Sequence, residues 1–159
     1  AVHIAEIARE LEDKGISFSP DGLADMNRAV DAVREIVALT RTALADEDMA
    51  EARKVEPLEE VISVMLEGIK LRHIRRLQSG VCTMEMGFAF NDVLTDFARV
   101  AAHCSNVALA VLELRVSDLQ FHDYARGVRQ GDQPEFRRWL AFYQDKYLLA
   151  SRRRAAEAN

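Results

Sequence analysis

Residues that break helices are scarce: three prolines and seven glycines are spread through 159 positions, no two of them adjacent. Alternating runs rich in Val, Ile and Thr are missing too, which excludes a fold built from β-hairpins. Two cysteines make no disulfide framework. Cys82 and Cys104 fall on one expected helix, up to about 33 Å apart at ~1.5 Å per residue, too far to bridge to each other. Cys104 lies on an apolar stripe and reads as a small buried hydrophobe, and two free thiols suit a reducing compartment. Basic charge is not in excess. The net charge is −5 and the isoelectric point about 5.4, which excludes a general binder of nucleic acid or anionic membranes, because neutralising phosphates needs a basic surface. No uninterrupted apolar run approaches the ~18 residues of a membrane span, and residues 1–11 lack the layout of a signal peptide, so the chain reads as soluble. No Gly-rich phosphate loop, Gly-x-Ser-x-Gly elbow or Cys-x-x-Cys occurs.

What is present is helical periodicity, almost without interruption. In the opening AVHIAEIAREL, Ile4, Ile7, Ala8 and Leu11 share a face, and this helix ends at Gly15. SFSPDG restarts the chain with Ser19 as N-cap and Pro20 at the first helical position, and a long helix runs to about Ala45. Asp46 to Asp48 form the next break and cap. The third helix runs from there to Ser79, closing on Arg72, Arg75 and Arg76 before Gly80, cations suited to a helix C-terminus. Pro57 should kink this helix or mark its true start. A fourth helix, Cys82 to Arg115, carries Met86, Phe90, Val93, Phe97, Val100, Cys104, Val107 and Val111 alternately four and three apart, a heptad seam that calls for packing against other long helices. Two shorter helices, about Asp118 to Arg129 and Pro134 to Arg153, should pack on the bundle through Phe121, Tyr124, Phe136, Trp139, Phe142, Tyr143 and Tyr147. The fold class is therefore all-α: an antiparallel up-down bundle of three long helices, flanked by a truncated N-terminal helix and a C-terminal pair.

CSNVALAVLEL, Cys104 to Leu114, repeats the opening: Ala108 stands for Ala5, Val107 for Ile4, Asn106 for His3, Glu113 for Glu10 and Leu114 for Leu11. Such self-similarity marks a repeat array. It divides the chain into residues 1–15 as the tail of a preceding unit, 16–115 as a three-helix unit and 116–159 as the C-terminal pair. Ile4, Ile7 and Leu11 would then expose an apolar surface that the preceding unit covers, favouring self-association.

Beside the seam of the fourth helix runs a polar stripe, Asp92, Asp96, Arg99, His103 and Asn106, a candidate contact for a ligand or partner or else a solvated edge of i,i+3 and i,i+4 pairs. The other flank, Asn91, Thr95, Ala98, Ala102 and Ser105, is small and lets a neighbouring helix approach. Acidic pairs four apart, Asp21 with Asp25, Glu56 with Glu60 and Asp92 with Asp96, put two carboxylates on one face; in a chain with 26 acids most such pairs are solvated. The Glu-x-x-His pattern of a di-iron bundle does not occur, so a metal-dependent hydrolase in a helical bundle is a remote alternative. The basic run Arg72 to Arg76 could grip phosphate or an acidic lipid, but its helix-end position already gives it a structural role. No catalytic residue stands out.

VEPLEEVISVM, HIRRLQSGVC and NDVLTDFARVAAHCSNVA, in that order and spacing, resemble the PhoU-like C-terminal cytoplasmic region of bacterial sodium/phosphate cotransporters. That family repeats a three-helix unit whose third helix carries E-R-I-x-D-H followed by x-x-N-I-A. HCSNVA, His103 to Ala108, matches the tail of this motif, and AVHIAEIA matches the same tail in a preceding repeat. The resemblance implies a non-catalytic regulatory or interaction domain of a sodium-dependent phosphate transporter, on the cytoplasmic side of the inner membrane, partnered by the membrane-embedded portion of the same polypeptide and not by nucleic acid. The alternative it leaves is a free-standing PhoU-like regulator that contacts an ABC transporter and a sensor kinase. The family also implies iron or zinc clusters held by acids, but three of those positions are neutral here: Ser63, Ala98 and Ala102. Glu59, Arg99, His103 and Asn106 match. No metal cofactor is therefore expected, and the weak candidates for one are Glu59 with His103, or Asp92 with Asp96.

Overall fold

The computed structural model describes residues 2–115 and 133–149, except the side chain of Arg115. The regular structure in them is all helical, and three of the helices are long. In order they are α1 (Val2–Asp13), α2 (Pro20–Ala45), α3 (Met49–Gln78), α4 (Met84–Arg115) and α5 (Pro134–Tyr143), the last continuing into a π-helical stretch, Gln144–Leu149. The expected helix from Asp118 to Arg129, with Phe121 and Tyr124, lies outside the described residues, as does everything expected beyond 149.

The ends of these helices have local causes. The Ser19 hydroxyl accepts from the Gly22 amide at 3.2 Å, and Pro20 follows it as the first helical residue. Asp48 caps α3 by accepting from the amides of Ala50 and Glu51 at 2.8 and 3.1 Å. This cap, and not Pro57, sets the start of α3: the proline is buried inside the helix, where it removes one donor from the ladder. Three C-termini close in the same way, with Ile16 donating to the Leu11 carbonyl, Asp48 to Ala43 and Val81 to Arg76. Each closure turns on a residue with left-handed φ, Gly15 at 62°, Glu47 at 52° and Gly80 at 72°. Glycine meets no Cβ penalty there.

α2, α3 and α4 pack on one another in all three pairings, and α5 with its π-helical continuation packs on α3. The centre is dry: Ala29, Ala32 and Ile36 of α2, Leu58, Ile62, Leu66 and Ile69 of α3, and Phe90, Leu94, Ala101, Ala108 and Leu112 of α4 are at most 1% exposed. The heptad seam is therefore rotated from its expected centre. Phe90, Val93, Phe97, Cys104 and Val111 are buried, but Met86, Val100 and Val107 sit half-buried at its edge. α4 faces two long helices at once, so its buried face is broader than a single-partner seam and extends toward the small-residue flank. Among the described residues, the stretch Met84–Leu114 is the one helix long and apolar enough to cross a membrane by length and composition; its apolar face is taken up by α2 and α3.

α1 lies antiparallel along α4, as its two end contacts show. His3 Nδ1 is 2.7 Å from Asp96 Oδ2, and Lys14 Nζ donates to Glu85 Oε1 at 2.7 Å. Ile7 is 7% exposed, and Ile4 and Leu11 pack half-buried against the core. The expectation of bare apolar surface on Ile4, Ile7 and Leu11 is thus corrected: the flank of α4 covers them. At the other end, Phe136, Tyr143 and Tyr147 are buried and Trp139 half-buried, whereas Phe142 is 49% exposed and does not pack as expected.

Candidate functional site

The polar stripe on α4 is divided by α1. Its first half meets that helix: Asp96 bonds His3, and Asp92 joins Ile7, Leu11 and Lys14 around a cavity of about 250 Å³ between the two helices. Its second half, Arg99, His103 and Asn106, is exposed to solvent. The stripe is therefore one edge with two environments.

The opposite flank of α4 faces α3. Ser105 Oγ hydrogen-bonds a carboxylate oxygen of Glu56, which marks the side of α4 that meets α3. His103 is two residues away and so about 200° around the helix axis. The structure consequently does not bring Glu59 and His103 together. Glu59 is half-buried between Glu56 and Glu60; burial, then the charges of Glu56 and Glu60, push its carboxyl above its ordinary value. Ala98 packs half-buried against the core, Ala102 is exposed, and Ser63 on α3 is exposed as well. The expectation that Ala98 and Ala102 both close on a neighbouring helix holds for Ala98 alone.

The densest charge cluster lies elsewhere. Asp25, 4% exposed, accepts from Arg72 Nε at 3.1 Å and Arg72 Nη2 at 2.8 Å and from Arg76 Nη1 at 3.0 Å, and Arg28 Nη1 stands 3.6 Å away. The pair Asp21 with Asp25 is accordingly no solvated face, since only Asp21 is exposed. Arg72 and Arg76 of the basic run do serve structure, but through a clamp between α2 and α3 and not only at their own helix end. The signal was available: Asp25 shares the apolar register of Ala29, Ala32 and Ile36, where an unpaired acid would be costly. Beside the clamp, the His73 ring stacks on Phe90 with centroids 4.2 Å apart, and the Arg76 guanidinium lies 5.5 Å from the same ring. Desolvation first, then Arg76, lowers the pKa of His73, so the buried ring is neutral near pH 7.

Comparison with protein families matches the PhoU domain over residues 26–111, from the second turn of α2 almost to the end of α4. The chain belongs to the PhoU family. Membership gives it a regulatory role in phosphate homeostasis. No curated protein and no solved structure matches it. Measured on its own side chains, this PhoU domain does not fit a carboxylate-held metal cluster: methyl groups at 98 and 102 and a hydroxyl at 63 cannot neutralise multivalent ions. Among the described residues no three His, Cys, Asp or Glu side chains are arranged to hold a metal ion.

Proposed function

We propose that this PhoU domain is a non-catalytic regulatory module of a sodium-dependent phosphate transporter, resting on the cytoplasmic face of the inner membrane against the membrane-embedded part of the same polypeptide. The observation that carries the reading is the three-helix PhoU unit, residues 26–111, and what turns it toward a transporter is the resemblance of the segments from Val55 to Ala108 to the cotransporter domains. The antiparallel seat of α1 on α4 supports reading residues 1–15 as the tail of a preceding unit packed on this one. The exposed half of the stripe, Arg99, His103 and Asn106, offers hydrogen-bonding side chains to a protein partner, and a net charge of −5 suits a protein surface better than nucleic acid.

Removing the three-helix unit from the chromosomal gene and measuring labelled phosphate uptake, with and without sodium, tests the reading. In phosphate-replete cells, sodium-dependent uptake is expected to escape control and remain high. A change confined to sodium-independent uptake would assign the domain to a free-standing regulator instead. Unchanged uptake and unchanged cellular phosphate would overturn both.

A further inference from the structure

Buried polar side chains are almost always hydrogen-bonded, and one that is not needs a reason. His73 is 5% exposed, both of its ring nitrogens are closed to solvent, and neither has a partner. α4 packs directly on the ring. Phe90 stacks on it with centroids 4.2 Å apart, and a Cβ built on Gly87 would stand 3.6 Å from Nε2. The same Cβ would stand 3.2 Å from both terminal carbons of Leu77, so glycine at 87 is what lets the two helices close over the imidazole.

The charged groups around the ring give it no acceptor. On its own helix, Arg76 lies 5.5 Å from the Phe90 ring and Lys70 pairs with Glu67 at 3.1 Å. From α2 comes Asp25, whose two carboxylate oxygens are taken by Arg72 and Arg76. α4 presents Gly87 and Phe90, and its other residues beside His73, Met84, Phe88, Asn91 and Leu94, carry no charge. A neutral imidazole leaves one N–H unsatisfied here, and an imidazolium would leave two, next to a guanidinium. Burial and then Arg76 hold the ring's pKa below the ordinary value, with Asp25 acting the other way.

We propose that the α3–α4 hairpin, residues 73–90, is an acid-operated joint: His73 takes up a proton only when the hairpin parts from it at Gly87 and Phe90, so acid draws this end of the bundle open while the rest stays folded. The hairpin beyond His73 has little core to resist such opening. Ile74, Val81, Met84 and Phe88 are between 48% and 67% exposed, whereas Leu58, Ile62, Leu66 and Ile69, earlier in α3, are at most 1% exposed. Local opening is drawn from segments with few buried apolar contacts. The inference stands independently of the transporter reading.

In the open hairpin His73 has the ordinary histidine pKa of about 6.5, so lowering the pH from about 7.5 to about 5.5 multiplies the open population about tenfold while the closed ring stays neutral. Amide hydrogen exchange of the whole chain at these two pH values, corrected for intrinsic rates, is the test. Residues 73–90 should exchange about tenfold faster at the lower pH, and residues 55–66 of α3 and 101–112 of α4 should keep their protection. His73→Leu, which takes no proton, should remove the acceleration. NMR of the His73 ring in the unmodified chain should find it still neutral at about pH 6. This measurement needs no variant and so decides the matter even if His73→Leu does not fold. Unchanged exchange, an acceleration that survives His73→Leu, an equal acceleration along all three long helices, or a ring that titrates near pH 6.5 would each overturn the joint.

Discussion

At the scale of single residues, the fold depends most on Asp25 and Phe97. Asp25 is the carboxylate on which Arg72, Arg76 and Arg28 converge, and Asp25→Asn is expected to cost about 3 kcal/mol in chemical denaturation, because the guanidinium of Arg76, with 11% of its side chain exposed, loses its counter-charge. Phe97, 6% exposed on the buried face of α4, should cost about 3 to 5 kcal/mol as Phe97→Ala; a loss below about 1 kcal/mol would mean that the face is misplaced. Two displaced pKa values predict opposite pH responses. His73 titrates below its ordinary value when folded, so the unfolded chain binds its proton more readily. Stability attributable to His73 is present above about pH 6.5 and falls as the pH drops toward the folded value, a loss that His73→Leu should abolish in melts at about pH 7.5 and 5.5. Glu59 is raised when folded, so its contribution is intact below about pH 4.5 and is lost as the pH rises through the folded value. Glu59→Gln should therefore stabilise the protein near pH 7 and have no such effect near pH 4.

At the scale of elements, α1 is the part held most lightly. Its ion pairs are solvent-exposed and individually weak, so Ile7 is the anchor. Ile7→Asp should release α1 without melting the bundle. Hydrogen exchange would register this as lost protection over residues 2–13 with protection retained in α3 and α4; equal loss in all three helices would show that α1 is integral to the core. α5 and its π-helical continuation are tied more firmly, because Phe136, Tyr143 and Tyr147 are all buried and the Tyr147 hydroxyl donates to Glu35, with the partly exposed pairs Arg53 with Glu135 and Lys146 with Glu35 adding little. Because Glu35 belongs to α2 while the segment packs on α3, this strap spans both helices.

At the scale of the whole molecule, Ile7, Tyr143 and Tyr147 belong to the same buried cluster as the three long helices. One cluster predicts one cooperative transition. Trp139 fluorescence, which reports on α5, and far-UV circular dichroism, which reports mainly on α2 to α4, should give coincident denaturant midpoints. An earlier fluorescence midpoint would make residues 133–149 a separate unit, as the division of the chain at residue 116 expects.

Helical periodicity, caps and glycine stops were legible in the amino-acid order because they depend on residues within one or two turns of each other. Ser19 before Pro20, Asp48 at the head of α3 and Gly15 and Gly80 past helix ends each act on neighbouring amides and carbonyls, so reading the chain finds them. The three long helices followed from the same patterns, and the PhoU family from the resemblance of the segments between Val55 and Ala108. What the order could not tell was which side of each helix meets which partner. Asp25 read as half of an acidic pair until Arg72 and Arg76 came to it from 47 and 51 positions away, and Glu59 with His103 read as a pair until the rotation of α4, marked by the Ser105–Glu56 hydrogen bond, left His103 on the side away from α3. His73, buried against Phe90 of a second helix without a hydrogen-bond partner, is likewise a property of packing alone. Side chains on different helices meet only after the relative rotation and register of those helices are set, and that is decided by the whole core at once and not by any segment of it.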